Sequence, residues 1–216
     1  MKGGSVCACT LGDTGVRRCD AHHRYWDGST ELVSVSRVLY DVLPAKSWDG
    51  VDDAVIDYAA LRGSTVDRLL CELLETGAAT VPLLEGTNPS NGMDLQSEIQ
   101  GRMKAIIGWW EACSLTPLAT QKMLSREGIA GTLDILAVDN ATARGVVIDL
   151  KCVSKLQPVY ELQLGAYLWL LNGEAVDAAI LHSTSTAVRF RSYDPVQAIT
   201  RWQAALEWWK IRQLLK

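Results

Sequence analysis

The sequence predicts an α/β fold of the α+β kind, a mixed central β-sheet flanked by helices, preceded by a Cys- and His-rich N-terminal extension. Apolar residues recur at helical spacing up to about residue 113. The period then switches to three strand-like segments joined by short links, and helix, strand, strand and helix follow. With 216 residues, 48% of them hydrophobic and 21% charged, the chain can bury a real core as one domain plus an appendage, which excludes disorder and collagen-like repetition.

Taken in order, residues 1–29 are rich in Gly, Cys, His and Arg and show no period, so they predict an irregular segment ahead of a folded domain over residues 30–216. In ELVSVSRVLYDV, Ser34 or Ser36 caps a short helix. Over 52–76, Val55, Ile56, Tyr58, Val66, Leu69, Leu70 and Leu73 lie at helical spacing; Gly63 marks a break between two helices and Gly77 the stop. VPLLEGTNPSNGMD is a loop by its Pro, Gly and Asn content. A helix over 95–113 carries Ile99, Met103, Ile106, Ile107 and Trp110 on one face. PLATQKMLSRE, IAGTLDILAVD and RGVVIDLKCV then read as strands, and the short links at Glu127-Gly128 and over 140–144 favour an antiparallel meander. A helix over 158–171 starts at Pro158, where a missing N–H costs little. Two more strands, AVDAAILHSTS and AVRFRSYD, lead to a terminal helix over 195–215 that buries Ile199, Trp202, Ala205, Leu206 and Trp209.

Charge and targeting signals narrow the function classes. Lys and Arg total 21 against 25 Asp and Glu, a formal net charge of -4, so bulk electrostatic coating of nucleic acid is excluded and any such binding must use a local groove. MKGGSVCACT has no apolar stretch behind its Lys, and runs such as AYLWLL are too short to cross a bilayer, which reads as a cytoplasmic protein with no membrane partner. In that compartment six Cys stay reduced, so their spacing matters more than their pairing.

The chemistry-bearing residues interrupt the strands. Asp134 sits between Leu133 and Ile135, and Asp149 between Ile148 and Leu150, where an unpaired charge is expensive. Strand alternation puts Lys151 on the face of Asp149 and turns Leu150 into the core. Two carboxylates and an ammonium then meet at one sheet end, an arrangement that suits phosphodiester hydrolysis. Mg²⁺ takes one or two carboxylates plus water and phosphate oxygens, and a lysine neutralises charge in the transition state. Chance alone supplies about one acid-x-Lys triplet in such a chain, so context rather than the triplet carries the reading. A structural ion pair between Asp149 and Lys151 is the plain alternative.

GIAGTLDILAVDN, GVVIDLK and YELQLGAYLWLL in this order resemble the PD-(D/E)XK nuclease superfamily, in particular its RecB-like and phage exonuclease branch, and imply its restriction-endonuclease-like core. The resemblance covers residues 22–216 and rests on a G-x-x-D segment, a (D/E)-x-K strand and a Q-x-x-x-Y helix. It implies a Mg²⁺- or Mn²⁺-dependent DNA exonuclease of phage or prophage recombination, acting in the host cytoplasm if phage-encoded. Asp134, Asp149 and the Leu150 carbonyl would hold the metal, Lys151 would position water, and Gln163 and Tyr167 would shape the DNA track. Gln163 and Tyr167 share a helix face by spacing, and a polar cap beside a core aromatic is their alternative reading. RGSTVDRLLCELLE is similar to a family helix on which a His often binds metal; Asp67 stands there, a ligand compatible with Mg²⁺ or Mn²⁺. Gln121 stands where the family often has a Glu, and Arg62 is the candidate phosphate contact. DNA is the implied partner and a single-strand annealing protein a candidate one; a homo-oligomer is compatible. The competing expectations are an endonuclease of the same superfamily and a non-catalytic nucleic-acid-binding or assembly module on the same sheet.

Outside that resemblance, Cys7, Cys9, Cys19 and His22 form C-x-C-x9-C-x2-H, a candidate structural Zn²⁺ site with His23 as the alternate fourth ligand and free thiols as the other reading. Cys71, Cys113 and Cys152 lie in apolar patterns and read as core thiols. In the pairs Trp109-Trp110 and Trp208-Trp209 only one member can face the core; the other could stack on a base or meet a partner.

Overall fold

The computed structural model describes residues 9–19, 24–43, 51–172, 176–185 and 187–216. The chain runs β1 (Cys9–Leu11), β2 (Val16–Cys19), β3 (Arg24–Asp27), β4 (Thr30–Ser34), α1 (Val35–Val42), α2 (Asp53–Thr76), α3 (Leu95–Ala112), β5 (Leu115–Arg126), β6 (Ile129–Asp139), β7 (Arg144–Lys151), α4 (Val159–Leu170), β8 (Val176–Ser183), β9 (Val188–Tyr193) and α5 (Pro195–Leu214). The fold class is as the sequence predicts, a mixed sheet flanked by helices. Its strand order is β1-β2-β3-β4-β6-β7-β8-β9, with β5 on the other edge of β6. The β5–β6–β7 meander is antiparallel; β4–β6 and β7–β8 are parallel. Helix α4 makes the β7-to-β8 crossover that parallel pairing requires. Among the described residues no helix is long and apolar enough to cross a membrane.

Each face of the sheet carries its own core. On one, α1, α4 and α5 pack Val38, Leu164, Leu168 and Trp202 against Leu133, Val147 and Ile180. On the other, α2 and α3 pack Val66, Leu69, Leu70, Ile99 and Ile106 against Ile135, Ile148 and Leu181. Helix signals act where expected: the Ser34 side chain accepts from the N–H of Arg37, and Gly77 ends α2 at φ 77°. Helix packing is tightest at Gly165, where a Cβ would lie 2.1 Å from the Ala198 carbonyl oxygen, so only glycine lets α4 and α5 approach this closely.

Two expectations are corrected. The N-terminal segment is not irregular where described: β1, β2 and β3 form antiparallel hairpins that run on into β4, and the boundary expected after residue 29 falls in the β3–β4 turn. Val16, Tyr25 and Leu32 bury themselves against Met123 and Ala130, giving the segment the core that its composition did not advertise. Gly63 does not break a helix; α2 runs through it for 24 residues. Glycine there costs about 1 kcal/mol relative to alanine, less than the packing of Val66, Leu69 and Leu70 returns.

Candidate active site

Strand β6 forks the sheet. Along one edge it pairs with β5 throughout; on the other it pairs with β4 only at Ile129 and Ala130 and with β7 only from Ile135 onward. Continuing the β6–β7 register would set Asp134 opposite Asp149, but the ladder stops one pair earlier, at Ile135 and Ile148. The Leu150 N–H, freed there, donates to Asp134 Oδ2 at 2.9 Å. Asp134 thus replaces a ladder carbonyl and is held at the fork.

Asp149 is 1% exposed. Both its carboxylate oxygens are buried, and neither has a hydrogen bond of acceptable geometry. Lys151 Nζ nevertheless stands 2.5 Å from Asp149 Oδ2, a charge contact rather than a well-directed bond, as strand alternation requires. The same ammonium lies 5.1 Å from the centre of the Tyr160 ring. Leu150, between the two, is buried in the α2–α3 core. Asp67 on α2 faces the same charges and accepts from Gln121 Nε2 at 3.0 Å.

Too much negative charge gathers here for the solvent available. Burial, then the Asp149 carboxylate, pushes Asp67 up to about 6. Burial, Asp149 and Asp67 push Asp134 well above the usual carboxylate range. Burial also raises Asp149, against the Lys151 ammonium and the neighbouring Asp134, which lower it. Burial lowers Lys151, but Asp149 and Asp134 together outweigh it and keep the ammonium charged.

A divalent cation would relieve this repulsion, and the unsatisfied oxygens of Asp149 are hard donors suited to Mg²⁺ or Mn²⁺. The donor set is incomplete: among the described residues, no three His, Cys, Asp or Glu side chains are gathered into a metal-binding group. Beside it, Arg18, Asp67, Cys71, Glu75 and Gln121 line an open cleft of about 460 Å³.

Gln163 Nε2 donates to the Tyr167 hydroxyl at 2.8 Å, so the two share a helix face as spaced. Tyr167 is buried and packs over Gly131, where a Cβ would lie 3.1 Å from its ring. Burial, then Asp149 and Asp134, raises its hydroxyl well above the ordinary value, so Gln163 and Tyr167 border the acids. Arg62, the candidate phosphate contact, is half-buried, and its guanidinium donates to Glu98 at 3.2 Å and to the Cys152 carbonyl at 2.9 Å.

The candidate zinc set is divided. Cys7, His22 and the alternate His23 lie outside the described residues. Cys9 and Cys19 are partners in the β1–β2 register, but no disulfide joins them. Cys19 is disulfide-bonded, which corrects the expectation of reduced thiols at that position, since a disulfide sulfur is not a thiolate ligand. Cys71 and Cys152 are core thiols as read, and burial pushes them up to about 12 and about 11.

Sequence reasoning missed Arg18, Tyr25 and Thr132. The N-terminal hairpins bring Arg18 Nη1 to 3.1 Å and the Tyr25 hydroxyl to 3.0 Å from Thr132 Oγ1, two residues before Asp134. No local period marks them, because their position depends on strand pairing over more than a hundred residues. Gln121 has φ 44° within β5, opposite Asp134 in the register, a strained backbone that turns its amide to Asp67.

No protein-family model matches the chain, and no curated protein does. Among solved structures, one from Eubacterium rectale described as a "Putative exonuclease" is similar at 14% identity with a TM-score of 0.48, over 84% of this chain and 78% of that one. The crystal structure of SSO0001 is similar at 17% identity with a TM-score of 0.29, over 51% of this chain; the chain spans 60% of that structure's length.

Proposed function

We propose that the chain is a metal-dependent deoxyribonuclease that hydrolyses phosphodiester bonds, an exonuclease of the phage or prophage recombination type. The observation that carries this reading is Asp149, buried at the sheet fork with two unsatisfied carboxylate oxygens beside Asp134 and Lys151. When bound, Mg²⁺ or Mn²⁺ would polarise the phosphoryl group and lower the pKa of an attacking water. Asp134 and Asp149 would hold it, and the Leu150 carbonyl and, from α2, Asp67 would be the further ligands.

In this reading the chain's own residues do the following. Lys151, kept cationic by two carboxylates, neutralises charge developing on the phosphate oxygens. Tyr160 limits where its ammonium can swing. Gln163 and Tyr167 hold each other in place along the strand track. DNA is the substrate and partner; a single-strand annealing protein is a further partner of this type of exonuclease.

Incubation with linear duplex, single-stranded and closed circular DNA, with and without Mg²⁺ or Mn²⁺, tests the reading. Metal-dependent release of nucleotides from linear duplex with circles intact is the expected result; nicked circles would make the enzyme an endonuclease. The 2.5 Å contact between Lys151 and Asp149 favours a second reading, a non-catalytic nucleic-acid-binding module in which Lys151 only neutralises Asp149. In that case no DNA is cut, and calorimetric titration of Mg²⁺ finds no site that Asp134→Ala abolishes.

A further inference from the structure

A second charged cluster lies on the α2–α3 side of the sheet. Glu98 is 4% exposed, and its carboxylate is saturated: Oε1 accepts from Arg62 at 3.2 Å and from Arg102 at 3.1 and 2.7 Å, while Oε2 accepts from the Tyr58 hydroxyl at 2.7 Å and Asn88 at 3.2 Å. Two guanidiniums therefore share one carboxylate, and a positive charge is left over. Arg102 is itself 4% exposed and donates onward to the Ser183 carbonyl at 2.6 Å. Arg62 Nε is buried with no partner at all. A guanidinium carries five N–H donors in a fixed fork, and Arg62 uses only two groups, one on Glu98 and one on the Cys152 carbonyl.

Arg62 and Arg102 border a cavity of about 450 Å³, lined also by Asn91, Ser154 and Ser185 among others, so the excess positive charge lies along its wall. Among the described residues that line it Glu98 is the only acid, and it is already saturated. Hydroxyl and amide groups beside a half-used guanidinium fork match a tetrahedral oxyanion, which accepts several hydrogen bonds at once. The cavity sits beside the end of β7, since Val153 and Ser154 line it two and three residues after Lys151.

We propose that this cavity is an anion site that binds a phosphate group, separate from the acids at the fork. The phosphate comes either from a nucleic-acid backbone, a source that rests on the nuclease reading, or from free phosphate, which does not.

The full chain is titrated with inorganic phosphate and, separately, with a labelled single-stranded oligonucleotide without divalent metal. Asn91→Asp is the main variant. Its Oδ1 still accepts from the Met93 N–H, so the turn is preserved while a negative charge enters the cavity. Arg62→Lys keeps the charge and removes the fork. Saturable phosphate binding that Asn91→Asp weakens about tenfold or more, and that Arg62→Lys also weakens, supports the site. If oligonucleotide affinity falls in parallel, the backbone is the source; if it is unchanged, free phosphate is. No saturable phosphate binding, or equal affinity in wild type and Asn91→Asp, overturns the proposal, and either result leaves the metal-dependent assay on linear DNA to judge the nuclease reading separately.

Discussion

The molecule holds two buried charge clusters of opposite character. On the α2–α3 side, Glu98 accepts from Arg62, Arg102, Tyr58 and Asn88; burial raises it, but these partners hold its pKa below the ordinary value. At the fork, Asp67, Asp134 and Asp149 share one ammonium, the Gln121 amide and the Leu150 N–H, and all three are raised. Glu98 and Asp149 are buried alike, at 4% and 1% exposure; satisfaction differs. A buried carboxylate with its full complement of donors holds a fold together, whereas buried carboxylates left short of donors are retained at a cost that only a ligand offsets.

The contrast can be broken by mutation. Lys151→Ala is expected to lower nuclease activity by about 10²–10³ while leaving the chain folded, read as initial rate on linear duplex beside a circular dichroism melt. A rate within a few-fold of wild type would reduce Lys151 to a structural counter-ion. Glu98→Gln leaves two buried guanidiniums without their charge partner and should destabilise by about 3–5 kcal/mol in urea unfolding. A loss under 1 kcal/mol would mean that the cluster is wetter than its burial implies.

The clusters also respond to pH with opposite sign. Asp67 has a folded pKa of about 6, above its unfolded value, so its stabilising contribution is complete below the unfolded pKa and is lost as pH rises through about 6. Asp67→Asn should therefore be more stable than wild type at pH 8, by about 1–2 kcal/mol after allowance for partial exposure, and no more stable at pH 3.5. Glu98 runs the other way: its lowered pKa gives stability that is present above the unfolded value and fades as pH falls through the folded one. The smallest effect belongs to Tyr167→Phe, which removes the bond from Gln163 at about 1 kcal/mol.

Much of this was legible in the sequence. The β5–β7 meander, the α4 crossover, the Ser34 and Gly77 caps and the common face of Asp149 and Lys151 all follow from local period and residue chemistry. The N-terminal strands were not legible, because β1 to β3 are short, carry Arg17 and Arg24 on exposed positions, and bury only alternate residues such as Val16 and Tyr25. Glu98 and its contact with Arg62 are not legible in the sequence, because the contact joins residues 36 apart on two helices and no helix-local spacing reveals it. Gln121 was placed by resemblance, but its left-handed backbone and its bond to Asp67 are tertiary facts.

The central claim is that the unsatisfied carboxylate at the fork is catalytic, and Asp149→Asn tests it most directly. Nucleotide release from linear duplex DNA is measured with Mg²⁺, with Mn²⁺ and with chelator, for wild type and variant, alongside urea unfolding at pH 8. The account predicts metal-dependent release by wild type and none by a variant that the unfolding curve shows to be folded. Full activity in Asp149→Asn would contradict it.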